Sequence, residues 1–506
     1  MIASASLRPR SFCLLLAFAC TVALRAAEST PAATTPALAE QLAAFVAQPR
    51  FAGAMWGVKV VSLDSGRTLF EHQPHLRLSP ASNAKLYVGA LALDRLGGDY
   101  RIVTPLLGTA PVDAQGDLPG DLVIAGRADP SWHPRLAKRE FWSTFEPFVT
   151  ALREAGVRRI RGDLVADATW LHGPPYGAGW TADDLNDYYG AEISALTLGD
   201  NYVELRVAPA AGAGQPCTVE ILEPHTGLVI DNHTLTTAPG TKSFLRVLRF
   251  PGTHRVRIFG GLPVGGEVEV TEATVPQPAR WFAAALKEAL VRSGIAVDGV
   301  ARSVAWPDAS PTAAVPLGAI ASPTMRDLVT AFMQPSQNLE TNLVFAHLGE
   351  LLRTADTPRW KQSDELAIDA LHGFVRDIGV PPDAVIFEDG SGLSRNNLTT
   401  AAATVRLLEF MAGHREAEAF LHSLPLAGRD GTIRKRLVNT PAEGNLRAKT
   451  GTLRWASSLS GYVHNAAGER LAFSLMLNRH VSSPDRRTRD ELDELAVLLA
   501  SSTEAK

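Results

Sequence analysis

The chain has 506 residues, 46% of them hydrophobic and 20% charged, the composition of an ordinary globular protein. It is too long for one core and long enough for two or three domains. A formal charge of −4 with no basic run argues against nucleic acid as a partner and against an electrostatic hold on anionic lipid.

At the N-terminus, Arg8 and Arg10 precede an apolar run from Phe12 to Leu24, and the small residues Ala26 and Ala27 follow. This order reads as a secretory signal peptide, residues 1–26, and hence as an exported, periplasmic protein. The run is too short for a membrane span. Its removal takes Arg8, Arg10 and Arg25 but no acid, moving the formal charge from −4 to −7, and takes Cys13 and Cys20 as well. Cys217 alone remains, so no internal disulfide is expected. A lipid anchor on Cys20 is disfavoured by the Ala17-Phe18-Ala19 before it. Glu28 to Ala39, rich in Thr, Pro and Ala, reads as a flexible leader.

Trp56 to Val61 and Thr68 to Glu71 flank Asp64-Ser65-Gly66 and predict a hairpin, the first piece of a sheet. Pro80-Ala81-Ser82, followed by Lys85, Leu86, Val88, Leu91 and Leu93, predicts a helix from near Ser82 to Gly97-Gly98, with Ser82 and Lys85 on one face. From about Tyr100 to Pro276 the chain turns into short strand-like runs separated by Gly- and Pro-rich turns, as in one or two mostly β domains. A helix from Ser322-Pro323 to about Gln334 is broken by Pro335, and another runs from Leu339 to about Leu352. The loop between them carries Ser336 and Asn338. Ser391, between Gly390 and Gly392, reads as a tight turn near the rim of a pocket. Lys449 to Thr452 precedes two strand-like runs, Leu459 to Val463 and Leu471 to Leu475, and is expected on an edge strand lining a site. Leu492, Leu495, Ala496 and Leu499 predict a closing helix packed on the sheet; its acids at 490, 491, 493 and 494 speak against a membrane anchor.

The chemistry lies in three groups taken together: Ser82 with Lys85, Ser336 with Asn338, and Lys449-Thr450-Gly451. A serine hydroxyl attacks a carbonyl well only when a neighbour takes its proton. A lysine can do this without histidine if burial and a second cation lower its pKa, as Lys449 facing Lys85 would. Ser336 would relay a proton, Asn338 would hold a substrate amide, and a backbone N–H of the Lys449 to Thr452 strand would join that of Ser82 in an oxyanion hole. Each motif alone is weak; the ordered set is not. No His-Glu-x-x-His, Gly-x-Ser-x-Gly or phosphate loop occurs, and neither a metal nor a cofactor is expected.

With these motifs in place, the chain resembles the serine D-alanyl-D-alanine carboxypeptidase/endopeptidases of the low-molecular-mass class C penicillin-binding proteins. The likeness extends to Leu78 through Lys85, Asp389-Gly390-Ser391-Gly392-Leu393-Ser394-Arg395-Asn396-Asn397, Leu424 through Thr432, and Gly179-Trp180 through Ala191. It implies an α+β fold: a serine β-lactamase/transpeptidase-like catalytic domain, antiparallel sheet with flanking helices plus a helical subdomain, interrupted by a mostly β insertion. Ser82 and Ser336 lie 254 positions apart, far more than a class A β-lactamase subdomain occupies. The expected parts are residues 27–97 and 277–506 for the catalytic domain and 98–276 for the insertion, read as a packing or substrate-docking module.

The resemblance also implies the substrates: peptidoglycan stem peptides and crosslinks, with β-lactams as covalent inhibitors. Lys449, Thr450, Gly451 and Thr452 would line the substrate's terminal carboxylate and carbonyl, and Asp184, Tyr189 and Arg395 a pocket for the diamino acid side chain. Two departures stand out. Gln337 replaces the usual aspartate, a mild change if its side chain points away from the pocket, and Arg454 places a large cation at the pocket edge. A β-lactamase, a D-amino-acid esterase or amidase, and a silent wall-binding scaffold are the alternatives. Monomer and homodimer both fit the sequence.

Overall fold

The computed structural model describes residues 37–134 and 140–503. The signal segment and most of the leader lie outside the described residues; Leu38 and Ala39, read as leader, begin the helix Leu38–Val46. A five-stranded antiparallel sheet forms the catalytic half in the order Arg447–Leu453, Ala456–His464, Arg470–Asn478, Met55–Ser62, Thr68–His72. Strands within residues 55–72 thus share one sheet with strands within residues 447–478, and Arg447–Leu453 is its edge, as predicted. Both faces are apolar. Val58, Val60, Leu475 and Leu477 pack with Leu42, Phe45, Leu495 and Leu499 from the helices Leu38–Val46 and Thr488–Ser501. A second core gathers the helices Ala84–Leu96, Met325–Met333, Asn338–Glu350, Ser363–Asp377 and Ala401–Ala412. The helix Ala84–Leu96 is buried nearly all round, the signature of a helix at the centre of a core.

Within the inserted segment, a five-stranded mixed sheet runs in the order Ala301–Ala305, Leu164–Ala168, Leu122–Ala125, Val103–Gly108, Val315–Ala321. The helices Glu146–Glu154 and Pro278–Arg292 pack on it through Phe148, Leu152, Phe282 and Leu286. Two three-stranded sheets follow, one of Tyr202–Ala208, Thr218–Ile221 and Glu269–Thr274, the other of Val229–Thr237, Phe244–Arg249 and Arg255–Pro263. A boundary at 276 would cut the mixed sheet, because Ala301 pairs with Leu164 and Ala321 with Val103. We place the end of the insertion after Ala321. Among the described residues, no helix is long and apolar enough to cross a membrane.

Candidate active site

Ser82 sits in a single 3-10 turn, Ala81–Asn83, that leads into the helix Ala84–Leu96. The α-helix starts two residues later than the sequence predicts because Ala81 has φ 46°, a left-handed conformation unfavourable for alanine. Two contacts hold the turn. Asn83 Nδ2 donates to Ser460 Oγ at 2.7 Å, and Ser458 Oγ donates to the Pro80 carbonyl at 2.7 Å. The serine is therefore pinned to the sheet from both sides, while its own side chain is half-buried at the cleft.

Lys85, one turn on, is fully buried and donates to Ser82 Oγ at 3.0 Å, Asn338 Oδ1 at 2.7 Å and the Ser391 carbonyl at 2.7 Å. Burial lowers its pKa to about 7, against the opposing pull of the Asp389 carboxylate. Lys449 is also fully buried and donates to Ser336 Oγ at 2.7 Å and the Thr450 carbonyl at 2.9 Å. Desolvation and the nearby Lys85 hold its pKa well below the usual lysine range. Each lysine thus sits on its own serine, and the charge of Lys85 reaches Lys449.

Ser336 has φ 68°, so the loop before the helix Asn338–Glu350 is also held in a left-handed turn. Asn338 Nδ2 donates to the Tyr189 carbonyl at 2.9 Å, tying the second motif to the insertion. Gln337 points away from the pocket, as the benign reading of that departure requires: its Oε1 accepts from the Asn338 N–H and its Nε2 donates to Asp200 at 3.0 Å. Thr450 Oγ1 lies 2.8 Å from Thr432 Oγ1. Gly451 leaves room for the nucleophile turn; a Cβ there would stand 3.1 Å from Ser82 N. Thr452, Leu453 and Arg454 continue along the cleft, which measures about 570 Å³, a size typical of peptide and small-ligand sites. The Arg454 guanidinium lies over the Trp455 ring at 5.5 Å.

Asp184, Tyr189 and Arg395 are brought to this cleft too. Arg395 grips the Asp184 carboxylate with both terminal nitrogens, one at 3.0 Å, and the Tyr189 hydroxyl donates to Asp187. Asp184 is buried and also accepts from the Thr181 N–H at 2.7 Å.

Residues 38–499 match the family described as the D-Ala-D-Ala carboxypeptidase 3 (S13) family. The chain belongs to that family. A D-alanyl-D-alanine carboxypeptidase of Actinomadura sp. is 32% identical over 458 residues, covering 88% of this chain and 81% of the relative. A D-alanyl-D-alanine carboxypeptidase, DacB, of Haemophilus influenzae is 24% identical over 433 residues, 84% of this chain and 86% of the relative. The crystal structure of penicillin binding protein 4 from Haemophilus influenzae superposes with a TM-score of 0.76 at 22% identity, covering 89% of this chain and 97% of that one. A structure of that protein complexed with a β-lactam gives 0.68 at 21% identity, covering 88% and 94%. The α+β catalytic fold expected from the sequence is the fold of this S13 protein, and its class is that of a serine-type D-alanyl-D-alanine carboxypeptidase.

Several parts of the S13 site are not legible in the sequence alone. Ser391 is fully buried rather than at the rim; its hydroxyl donates to Asp389 at 2.7 Å and its carbonyl receives Lys85. Thr432 and Asn83 lie inside stretches that carry the family likeness, but only the fold shows that one faces Thr450 and the other the sheet. Among the described residues, one cluster has metal-ligand types: His133, Asp200 and Glu340, all buried, with ligand atoms within 4.8 Å of one another. Those groups already serve one another and their neighbours, His133 Nε2 standing 3.0 Å from Glu340 and Gln337 donating to Asp200 at 3.0 Å. They form a polar junction between the insertion and the second-motif helix.

Proposed function

We propose that this carboxypeptidase cleaves the bond after the penultimate D-alanine of peptidoglycan stem peptides, and the equivalent bond of crosslinks, through a Ser82 acyl-enzyme. The observation that carries the proposal is the fully buried Lys85 amine, 3.0 Å from Ser82 Oγ. Ser82 Oγ attacks the carbonyl carbon as its proton passes to Lys85 Nζ. The Ser82 and Thr452 N–H groups hold the oxyanion. The C–N bond then breaks, and the leaving amine takes a proton through Ser336 from Lys85 or Lys449. Water attacks the ester, releasing the shortened peptide and restoring Ser82. Asn338 positions the acyl side, and Lys449 with Thr450 receives the terminal carboxylate. Release of free D-alanine from a pentapeptide and of monomer from a crosslinked dimer, both lost in Ser82→Ala, would support the assignment. Neither product from wild type would refute it.

The base must be neutral to act. Since the Lys85 pKa is about 7, acylation is expected to rise with pH through about 7 and then level off, measured as the benzylpenicillin acylation rate. A rate flat from mildly acid to alkaline pH would contradict this role.

Asp184, Tyr189 and Arg395 are proposed to line the pocket for the diamino acid of the stem peptide. Arg395→Ala is expected to lower kcat/KM for such peptides about tenfold or more while leaving benzylpenicillin acylation unchanged. Equal losses on both would reduce the Asp184–Arg395 pair to a structural tie. Asp184 is the one carboxylate lining the cleft among the described residues and is bound to Arg395, so no free acid stands ready to activate water. That favours a long-lived β-lactam adduct over β-lactamase turnover. The signal-like N-terminus supports export to the periplasm, where the substrate lies.

A further inference from the structure

We propose that Asp389 is a positioning residue for Lys85: its buried carboxylate builds the turn whose carbonyl receives the Lys85 amine, and its charge stabilises the ammonium formed when Ser82 is deprotonated. The inference rests on the Ser82–Lys85 reading above and extends it to a residue that touches neither substrate nor nucleophile.

The carboxylate is buried and has five hydrogen bonds. Oδ2 accepts from Ser391 Oγ at 2.7 Å, Trp180 Nε1 at 2.9 Å and the Leu393 N–H at 3.3 Å; Oδ1 accepts from the Gly392 N–H at 3.0 Å and Asn397 Nδ2 at 2.8 Å. Asn342 Oδ1 completes the cradle by accepting from the Gly390 and Ser391 N–H groups at 3.1 and 3.0 Å. These bonds fix the Ser391 peptide, whose carbonyl takes Lys85 Nζ at 2.7 Å. The two glycines let the loop come close: a Cβ on Gly392, at φ +83°, would meet the Ala81 carbonyl oxygen at 1.9 Å, and one on Gly390 would meet Phe345 at 2.8 Å. The turn therefore lies directly against the nucleophile turn.

Protonating Lys85 places a positive charge in a desolvated site beside Lys449, which is unfavourable. The other groups against Lys85, namely Ser82, Asn338 and the Ser391 carbonyl, are neutral. Asp389 is the carboxylate whose field reaches Lys85 and opposes the effect of burial. Around Asp389 itself stand two further acids. Glu388 is held by Ser394 at 3.0 Å and Asn396 at 2.8 Å, and Asp364, on the helix Ser363–Asp377, is near enough for the Asp389 charge to act on it. Arg395 is committed to Asp184. Asp389 is thus pinned by five donors. Trp180 belongs to the insertion, so the inserted segment contributes directly to the base's environment.

The test is the pH dependence of benzylpenicillin acylation in wild type, Asp389→Asn and Trp180→Phe. Loss of the negative charge in Asp389→Asn is expected to move the acid limb down by about one pH unit and to lower the plateau rate at least tenfold. Trp180→Phe keeps the carboxylate but removes an N–H dipole that screens it, and should move the limb up by about half a unit. A folded Asp389→Asn enzyme with its limb at the wild-type position overturns the proposal. If that variant does not fold, Trp180→Phe decides: an upward shift supports the proposal and an unmoved limb overturns it. Wild type that is never acylated would instead refute the Ser82 reading, so the two failures are told apart.

Discussion

Replacing Lys85 with methionine is expected to slow acylation by benzylpenicillin about 10³- to 10⁴-fold, the range of a lost general base, and to lower stability by about 1–3 kcal/mol. The two halves of that result have separate causes. The lysine is fully buried in the helix Ala84–Leu96, and methionine fills its volume but leaves the buried Asn338 Oδ1 and Ser391 carbonyl without their donor. The lysine amine receives the Ser82 proton, and the imidazole that serves this purpose in other hydrolases is absent from the cleft lining among the described residues. Stopped-flow acylation and a thermal melt on the same preparation check both halves. A loss of less than about tenfold would remove Lys85 from the role of base.

Gly451→Ala is expected to cost about 10²-fold or more in acylation through position alone. A Cβ at 451 would lie 2.2 Å from Ser458 Oγ and 2.4 Å from the Pro80 carbonyl oxygen. Those two atoms are themselves hydrogen-bonded at 2.7 Å, so neither can yield without moving the turn that presents Ser82. A displacement near 1 Å at a reacting group is enough for a loss of that order, and overpacking of this kind costs about 1–3 kcal/mol of stability. Gly373→Ala is the matched control. It lies in the helix Ser363–Asp377, where a Cβ would meet nothing within 4 Å, and should stabilise by about 0.5–1 kcal/mol with acylation unchanged. Wild-type acylation in Gly451→Ala would mean that strand and nucleophile turn are not packed as described.

Where function depends on short, chemically typed stretches, the sequence is readable. Ser82 and Lys85 share one helical approach, Pro335 interrupts two helices around Ser336 and Asn338, and Lys449 lies on an edge strand followed by two partners; all depend on neighbours within a few residues. Long-range pairing is not readable in this way. Ala301–Ala305 looks no different from a loose strand until Leu164–Ala168 lies beside it, which is why the sequence alone ends the insertion too early, at 276. The Gly390-Ser391-Gly392 stretch shows a related ambiguity, since glycine serves equally for an exposed turn and for close approach of two backbones. Only the Ala81 carbonyl against Gly392 decides between them. Asp389 belongs to a stretch that carries the family likeness, yet nothing local shows that its charge reaches a lysine 304 positions earlier. Asp184 and Arg395 stand out separately in the sequence, and their ion pair follows from a fold that joins the insertion to a late loop.

The central claim is that Ser82 is an acylating nucleophile activated without histidine. Intact mass of the purified protein after incubation with benzylpenicillin, with Ser82→Ala alongside, tests it most directly. The account predicts one stable adduct of the drug's mass on wild type and none on the variant. An adduct of equal yield on Ser82→Ala, or an unmodified wild type with the drug still intact, would contradict it.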